Sequence, residues 1–309
     1  MTDLPASPVL LCVGDIDMDI IIRVPRPPGR DQKVDGERMA QTAGGMAANV
    51  AVGASRLGTA TRLLGAVGDD AMGREALEAL GREALDVDHV VMRHGAATFF
   101  CVIMVDDDGE KSLIKAVSPA YLPRPDDLTQ AAFCGASHVH LTFTRHDLAA
   151  RAIELAREAG ASVSLDLEAA DLPPGGGRVA ELVAQVDLLF ISEESRTLVE
   201  DELGPLGAGP GRTIVTTLGS RGARAESGGN IIEVTGHKVA VTDTSGAGDA
   251  FAAAFLHARL GGAEDVTALR FANASAAIST RAFGAQDGLP QLQEVEDFLK
   301  RRSPERSDA

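Results

Sequence analysis

At 309 residues the chain exceeds most single-core domains, and 45% hydrophobic with 24% charged residues excludes the disordered and fibrous classes. A formal charge of −16 without a basic cluster repels nucleic-acid backbones and anionic lipid, and 4% aromatic residues with no Trp leave no base-stacking platform. Cys12, Cys101 and Cys134 are dispersed, odd in number and without C-x-x-C spacing, so they read as core residues of a protein in a reducing compartment.

Residues 1–12 lack the charged start and apolar stretch of a signal peptide, and no apolar run reaches bilayer length. The expectation is a cytoplasmic protein with no membrane or nucleic-acid partner. From VLLCVGD (9–15) onward, β-branched runs alternate with helical patterns: GGMAANVAVGASRLG (44–58), TRLLGAVGD (61–69), AMGREALEALGREAL (71–85), ASHVHLTF (136–143) and DLAARAIELAREAG (147–160). SVSLDL, VDLLFIS and RTIVTTLG continue the series over 162–219. Such alternation predicts βαβ units and a largely parallel sheet covered on both faces, a layered α/β sandwich. Two stretches, 17–40 and 96–117, read instead as strands joined by Pro/Gly or DDDGE turns, a small accessory sheet placed as a lid. The glycine-rich loops at 173–177 and 204–212 are connections; the second lacks the Gly-Lys-Ser/Thr ending of a phosphate loop and precedes its strand. The tail RRSPERSDA is polar and expected to fray.

DTSGAGDAF (243–251) carries the most chemistry. Gly246, Ala247 and Gly248 leave their N–H groups accessible where the helix AFAAAFLHARL begins, so unpaired donors and the helix dipole favour an anion there, a phosphate above all. Asp249, in the same first turn, is kept ionised by the dipole and would take a proton from a hydroxyl attacking a γ-phosphoryl group. Alone, the segment reads equally well as a tight turn with a helix-start aspartate. Near the N-terminus, Asp15, Asp17 and Asp19 in GDIDMDI alternate along an extended segment, so their carboxylates share one side and can accept hydrogen bonds from a polyol; a solvated turn or a metal cluster is the other reading. In AGGMAANVA, Gly44 and Gly45 permit close approach of a ligand, and Asn49 is a polar residue among Ala and Val, either reading vicinal hydroxyls or satisfied by backbone.

Three segments in order, TAGGMAANVAVGASRLG, GAVGDDAMGREALEALG and DTSGAGDAFAAAF, resemble the ribokinase, or PfkB, family of carbohydrate kinases, from about Val9 to Pro290. The resemblance implies one domain over 1–309 with a three-layer α/β/α core of nine or so strands and a β lid formed by about 17–40 and 96–117. It implies an ATP-dependent phosphotransferase acting on a hydroxymethyl group of a sugar or sugar derivative, as ribokinases and fructokinases do. Asp249 would be the base and Gly246, Ala247 and Gly248 the anion hole. Asp17, Asp19, Gly44, Gly45 and Asn49 would hold the sugar, with Thr142 standing where such kinases carry a Glu. On the nucleotide side the likeness points to Thr217, Gly219 and Gly222 in TLGSRG and to Asn273. Asp243, Ser245, Ser279, Ala282, Gly284 and Gly288 match a site for a monovalent cation such as potassium. Magnesium is expected to neutralise the γ-phosphate, but the family's Asn-x-x-Glu is replaced in FISEESRT by Ser192 and Ser195, leaving Glu193 and Glu194 as substitutes.

A nucleoside kinase shares these signatures, and Phe99, Phe100 and Phe143 suit a base as well as a sugar pocket. A non-catalytic sugar or nucleotide sensor would not need Asp249, and a Rossmann dehydrogenase lacks its glycine fingerprint after the first strand. Arg145 either meets an anionic substrate or starts a helix; His138, His140 and His146 lack metal spacing and read as strand or cap residues. The lid edges and the apolar TFFCVIMV predict a homodimer through the lid. Substrate is expected to bind first between lid and GDIDMD, the lid then excluding water.

Overall fold

The computed structural model describes residues 7–209 and 211–302. In chain order it has strands β1 (Val9–Val13), β2 (Asp17–Arg23) and β3 (Glu37–Gly44), helix α1 (Met46–Arg56), β4 (Ala60–Leu64), β5 (Ala66–Gly68), α2 (Ala71–Leu80), β6 (Val91–Arg93), β7 (Phe100–Val105) and β8 (Lys111–Ala116). Then follow α3 (Gln130–Phe133), β9 (His138–Leu141), α4 (His146–Glu158), β10 (Ser162–Asp166), α5 (Val179–Val183), β11 (Leu188–Ser192) and α6 (Glu193–Leu203). β12 (Thr213–Thr217), β13 (Gly222–Ser227), β14 (Asn230–Thr235), α7 (Ala247–Leu260), α8 (Asp265–Ser279) and α9 (Leu292–Arg302) complete it.

The main sheet has eight strands in the order β14-β13-β12-β11-β10-β9-β1-β4, close to the nine or so that the resemblance implied. β12 through β4 are parallel, and β13 and β14 extend that sheet antiparallel. Strand alternation divides the core: Leu10 and Cys12 pack on one face with α1, α2, α7, α8 and α9, while Leu11 and Val13 face α3, α4, α5 and α6. Three layers follow from that division. TRLLGAVGD splits after Leu64, because β5 leaves the main sheet to pair with β6.

Inside the sheet, His138 bonds Ser162 and Ser164 through its two ring nitrogens, and His140 bonds Ser164 at 2.7 Å. Burial lowers the two imidazoles to about 4 and about 3, so both are neutral strand residues. His146 opens α4, Cys12 and Cys101 are buried, but Cys134 is exposed just past α3, contrary to its reading as a core residue. Its position as the C-cap of the short helix α3, at the surface, decides that.

The second sheet, β3-β2-β7-β8, is built from the two segments expected to form the lid, and encloses its own small core of Ile21, Phe99, Cys101 and Ile103. TFFCVIMV lies inside this sheet, since β7 is paired on one side with β2 and on the other with β8; the free edges are β3 and β8. Asp70 ties the lid to the core: it caps α2 through the Gly73 N–H (2.9 Å) and accepts from both the backbone and hydroxyl of Thr98 (2.9 and 2.6 Å). Among the described residues no helix is long and apolar enough to cross a membrane. Residues 303–309 of the tail expected to fray, and residues 1–6 of the start, lie outside the described residues.

Candidate active site

Parallel strands end together, so β1, β10, β11 and β12 deliver their C-terminal residues to one edge of the sheet, under the lid. There a cavity of about 370 Å³ is lined by Asp15, Asp17, Asp19, Gly45 and Asn49, by Phe99, Cys101, Lys115 and Tyr121 of the lid side, and by Asp166, Glu168, Ser192, Ser195 and Thr217. Ser245 through Asp249 close its far wall.

Asp249 sits in the first turn of α7 and is buried. Its Oδ2 accepts from Asn49 Nδ2 at 2.8 Å, a contact between residues 200 positions apart. The Ala-rich faces of α1 and α7 allow it: a methyl placed on Gly53 would lie 2.9 Å from Ala253 Cβ, so the helices approach to backbone range. Burial, then the charges of Asp166, Asp15 and Glu168, push the Asp249 carboxyl well above the usual range, with only the Asn49 bond opposing. The dipole effect read from sequence is therefore outweighed by desolvation in an acidic cleft.

Gly246 is the N-cap of α7 and adopts φ 70°, a left-handed conformation, with Ala285 packed so closely that an added methyl would meet it at 2.9 Å. Of the three amides expected to form the anion hole, Ala247 N–H donates to Thr244 O at 3.2 Å, closing the turn. Gly246 and Gly248 have no acceptor against their N–H groups among the described residues, and a methyl on Gly248 would enter open space. Two free donors and a helix N-terminus thus face the cleft beside Asp249.

On the opposite wall Asp15 does not share the role of its neighbours. Its carboxylate accepts from Met46 N (3.1 Å), Ala47 N (3.3 Å) and the Thr142 hydroxyl (3.1 Å), capping α1, whose own N-cap Gly45 offers no side chain. Thr142 is spent on that bond and does not line the cavity. Asp17 and Asp19 project together from β2; Asp17 Oδ2 accepts from Cys101 Sγ (3.3 Å), leaving Oδ1 buried without a donor. Asn49 Oδ1 is in the same condition. Gly44 is required beside them, since a methyl there would stand 2.4 Å from Asp17 Oδ1 and 2.7 Å from Asp19 Oδ2. Burial raises both carboxyls; the charges of Asp19 and Asp15 add to it at Asp17, and those of Asp15 and Asp243 at Asp19, which reaches about 6. Donor atoms of Asp17, Asp19 and Cys101 fall within 4.8 Å of one another; burial and the adjacent Asp17 carboxylate push the thiol far up, so it stands as the proton donor to Asp17.

A family model, "pfkB family carbohydrate kinase", matches residues 8–292. The chain belongs to that family. It is 33% identical over 299 residues to an ATP-dependent ribose-1-phosphate kinase of Halopiger xanaduensis, covering 95% of this chain and 98% of the relative. It is 31% identical to a nucleoside kinase of Methanothermobacter thermautotrophicus, covering 93% and 94%. An Arabidopsis thaliana ribokinase solved with ribose and ATP superposes with a TM-score of 0.78 at 26% identity, covering 96% of this chain and 99% of that one. The chain is thus an ATP-dependent kinase of the sugar or nucleoside type on a ribokinase-like fold.

For this PfkB member, the nucleotide-side residues divide. Thr217 and Ser192 line the cleft, Ser192 also capping α6 through the Ser195 N–H (3.0 Å). Gly219 and Gly222 shape the turn behind it; at Gly222 a methyl would stand 2.0 Å from Val234 O. Asn273 is not in the cavity wall: its Nδ2 donates to Val234 O (3.0 Å) and Thr235 O (3.3 Å), bracing the end of β14. Glu193 forms an exposed ion pair with Arg221 of the same loop, and neither it nor Glu194 lines the cavity. The carboxylates that do are Asp166 and Glu168, which sequence reasoning overlooked although SVSLDL placed an acid at the end of a predicted strand. Burial and then Glu168 and Asp171 raise Asp166 to about 7.

Residues 243, 245, 279, 282, 284 and 288 come together around one turn: Asp243 accepts from Gly284 N (3.0 Å) and Ser245 N (2.8 Å), and Gly288 packs against Ser279 O. The same Asp243 carboxylate and Ser245 hydroxyl also receive the ammonium of Lys111 from β8. Of the three aromatics, Phe99 lines the cavity edge-on to Tyr121; Phe100 and Phe143 pack into the cores. Arg145 starts α4, held by Asp147 and Pro123 O.

Proposed function

We propose that this chain transfers the γ-phosphate of ATP to a hydroxymethyl group of a sugar or sugar derivative, acting as one catalytic unit over 1–309 with residues of about 17–40 and 96–117 as its lid. The observation that carries this reading is Asp249, buried against Asn49 beside the free N–H groups of Gly246 and Gly248, in one cavity with Asp17 and Asp19. Asp17 Oδ1 and Asn49 Oδ1 are buried acceptors that lack donors, a need that sugar hydroxyls meet. With the sugar so held, its hydroxymethyl oxygen lies at Asp249. The carboxylate removes the proton as that oxygen attacks phosphorus, and the Gly246 and Gly248 amides receive the charge on the transferring group. Phe99 of the lid and Tyr121 packed against it keep water out, so ATP is not hydrolysed instead.

Asp166 and Glu168 would hold magnesium, directly or through water; burial raises both carboxyls and the Glu168 charge raises Asp166 further, a repulsion that a divalent cation would relieve. Held between these two carboxylates, magnesium would supply neutralisation of the γ-phosphate charge. We assign no step to potassium. The reaction belongs in the cytoplasm, where ATP is at hand and the three free thiols persist. The exposed edge of β8, with Leu113 and Ile114 more than half exposed, supports a homodimer through the lid; a monomer in analytical sedimentation would exclude it.

Nucleosides are the second reading, favoured by Phe99 in the wall and by the nucleoside kinase relative. Substrate-dependent ADP release across pentoses, hexoses, ribose-1-phosphate, ketose phosphates, sugar acids and nucleosides tests both. Turnover of a sugar or its phosphate is the expected outcome. Turnover of nucleosides alone selects the second reading, and binding without ADP release from any of them would mean a sensor.

A further inference from the structure

The strongest unassigned contact joins the two halves of the cleft. Lys111 is the first residue of β8, on the free edge of the lid, while Asp243 and Ser245 belong to the turn that leads into α7. Its ammonium donates to Asp243 Oδ1 and, at 2.7 Å, to Ser245 Oγ. The Asp243 side chain is only 3% exposed and that of Lys111 24%, so this is a largely buried ion pair, not a surface one. Burying a carboxylate this deeply requires compensation. Asp243 obtains it from three donors: Lys111, the Ser245 N–H and the Gly284 N–H. The last two are the bonds that shape the turn before Gly246, so the charge of Lys111 reaches the same carboxylate that sets the course of the backbone into Gly246 and Gly248.

We propose that Lys111 is a positioning residue: its ammonium latches the lid to the anion-hole turn and supplies, in cis, the positive charge at Asp243 and Ser245 that a monovalent cation was expected to provide. This rests on the kinase reading above. An ammonium group and a potassium ion are both monovalent and both satisfied by clustered oxygens, and here one is delivered by the chain itself. Lid closure and ordering of the Gly246–Gly248 donors then become one event: until β8 swings over the cleft, Asp243 lacks its counter-charge and the turn is loosely held. Phosphate is fully gripped only when the lid has shut water out.

Two measurements test it. The first takes wild-type enzyme, Lys111→Met and Lys111→Arg, with ATP, magnesium and an accepted sugar, in choline chloride or potassium chloride at constant ionic strength. Wild type is expected to turn over equally in both salts. Lys111→Met should lose kcat on the order of 10²-fold in choline, the scale of a misplaced catalytic group, and recover in potassium or ammonium; Lys111→Arg should retain most activity in choline. A wild type that depends on potassium, or a Lys111→Met enzyme as fast as wild type in choline, overturns the proposal and leaves the kinase reading intact. The second is amide hydrogen exchange of the protein without substrates. In Lys111→Met, protection should fall both in β8 and over residues 243–249; loss confined to β8 also overturns it. This arm needs no turnover, so it decides the latch even if no tested sugar is phosphorylated.

Discussion

Asp249→Asn is expected to lower kcat by about 10³-fold, within the range for removal of a general base, while the KM for ATP stays within about twofold. The substitution is nearly isosteric, and the Asn49 Nδ2 that now meets Oδ2 at 2.8 Å can meet an amide oxygen instead, so the helix start is preserved. Only the proton acceptor is lost. Steady-state kinetics with a saturating sugar check this, and wild-type turnover in the variant would remove Asp249 from the mechanism. A pH profile adds a sharper reading. Burial and the nearby Asp166, Asp15 and Glu168 carboxylates raise the Asp249 pKa in the folded protein, and the base must be ionised to act. Activity should therefore rise with pH along an acid limb lying well above the ordinary carboxylate value of about 4. Loss of this limb in Asp249→Asn would attribute it to Asp249; a limb at the ordinary value in wild type would show that bound substrates and metal cancel the burial.

Gly248→Val is expected to raise the KM for ATP and reduce kcat/KM by about 10²-fold, comparable to loss of one oxyanion donor, with little change in thermal stability. The reason is local. A methyl on Gly248 meets nothing within 4 Å, so the fold has room for a side chain, but that room is the cleft in which the phosphate would sit. Gly246 offers the contrast. It has φ 70° and lies against Ala285, so Gly246→Ala should cost stability on the order of 1–2 kcal/mol from the left-handed backbone alone, before any effect on phosphate. Thermal denaturation alongside ATP kinetics separates the two positions. Unchanged ATP kinetics in Gly248→Val would remove the anion hole from the mechanism.

Together these outcomes separate the two partners of the proposed transfer, one acting on the proton and the other on the phosphate. Lys111 adds a third element, because it connects the phosphate side to the lid that covers the sugar.

Much of this protein was determined by sequence alone, because the features concerned are local. Alternating apolar runs require strands and helices wherever the chain is placed, and their βαβ order requires a parallel sheet covered on both faces. The Gly-rich turn before α7 and the acid within its first turn are likewise consequences of neighbouring residues. What only the tertiary structure decided are partnerships across long separations. Nothing near Asp15 in the chain distinguishes it from Asp17 and Asp19, yet α1 and Thr142 claim its carboxylate as a cap, while those of Asp17 and Asp19 make no such bond to a helix start. Asn273 Nδ2 donates to the carbonyls at the end of β14, and Glu193 accepts from Arg221 in an exposed pair, partners that neither residue's place in the chain announces. Asp166 and Glu168 gained their meaning only when the parallel strands ended side by side. The ionisation of Asp249 depends on the dielectric and the charges that folding gathers around it; no spacing along the chain encodes these, so the raised pKa and the Lys111 contact had to be read from the folded molecule.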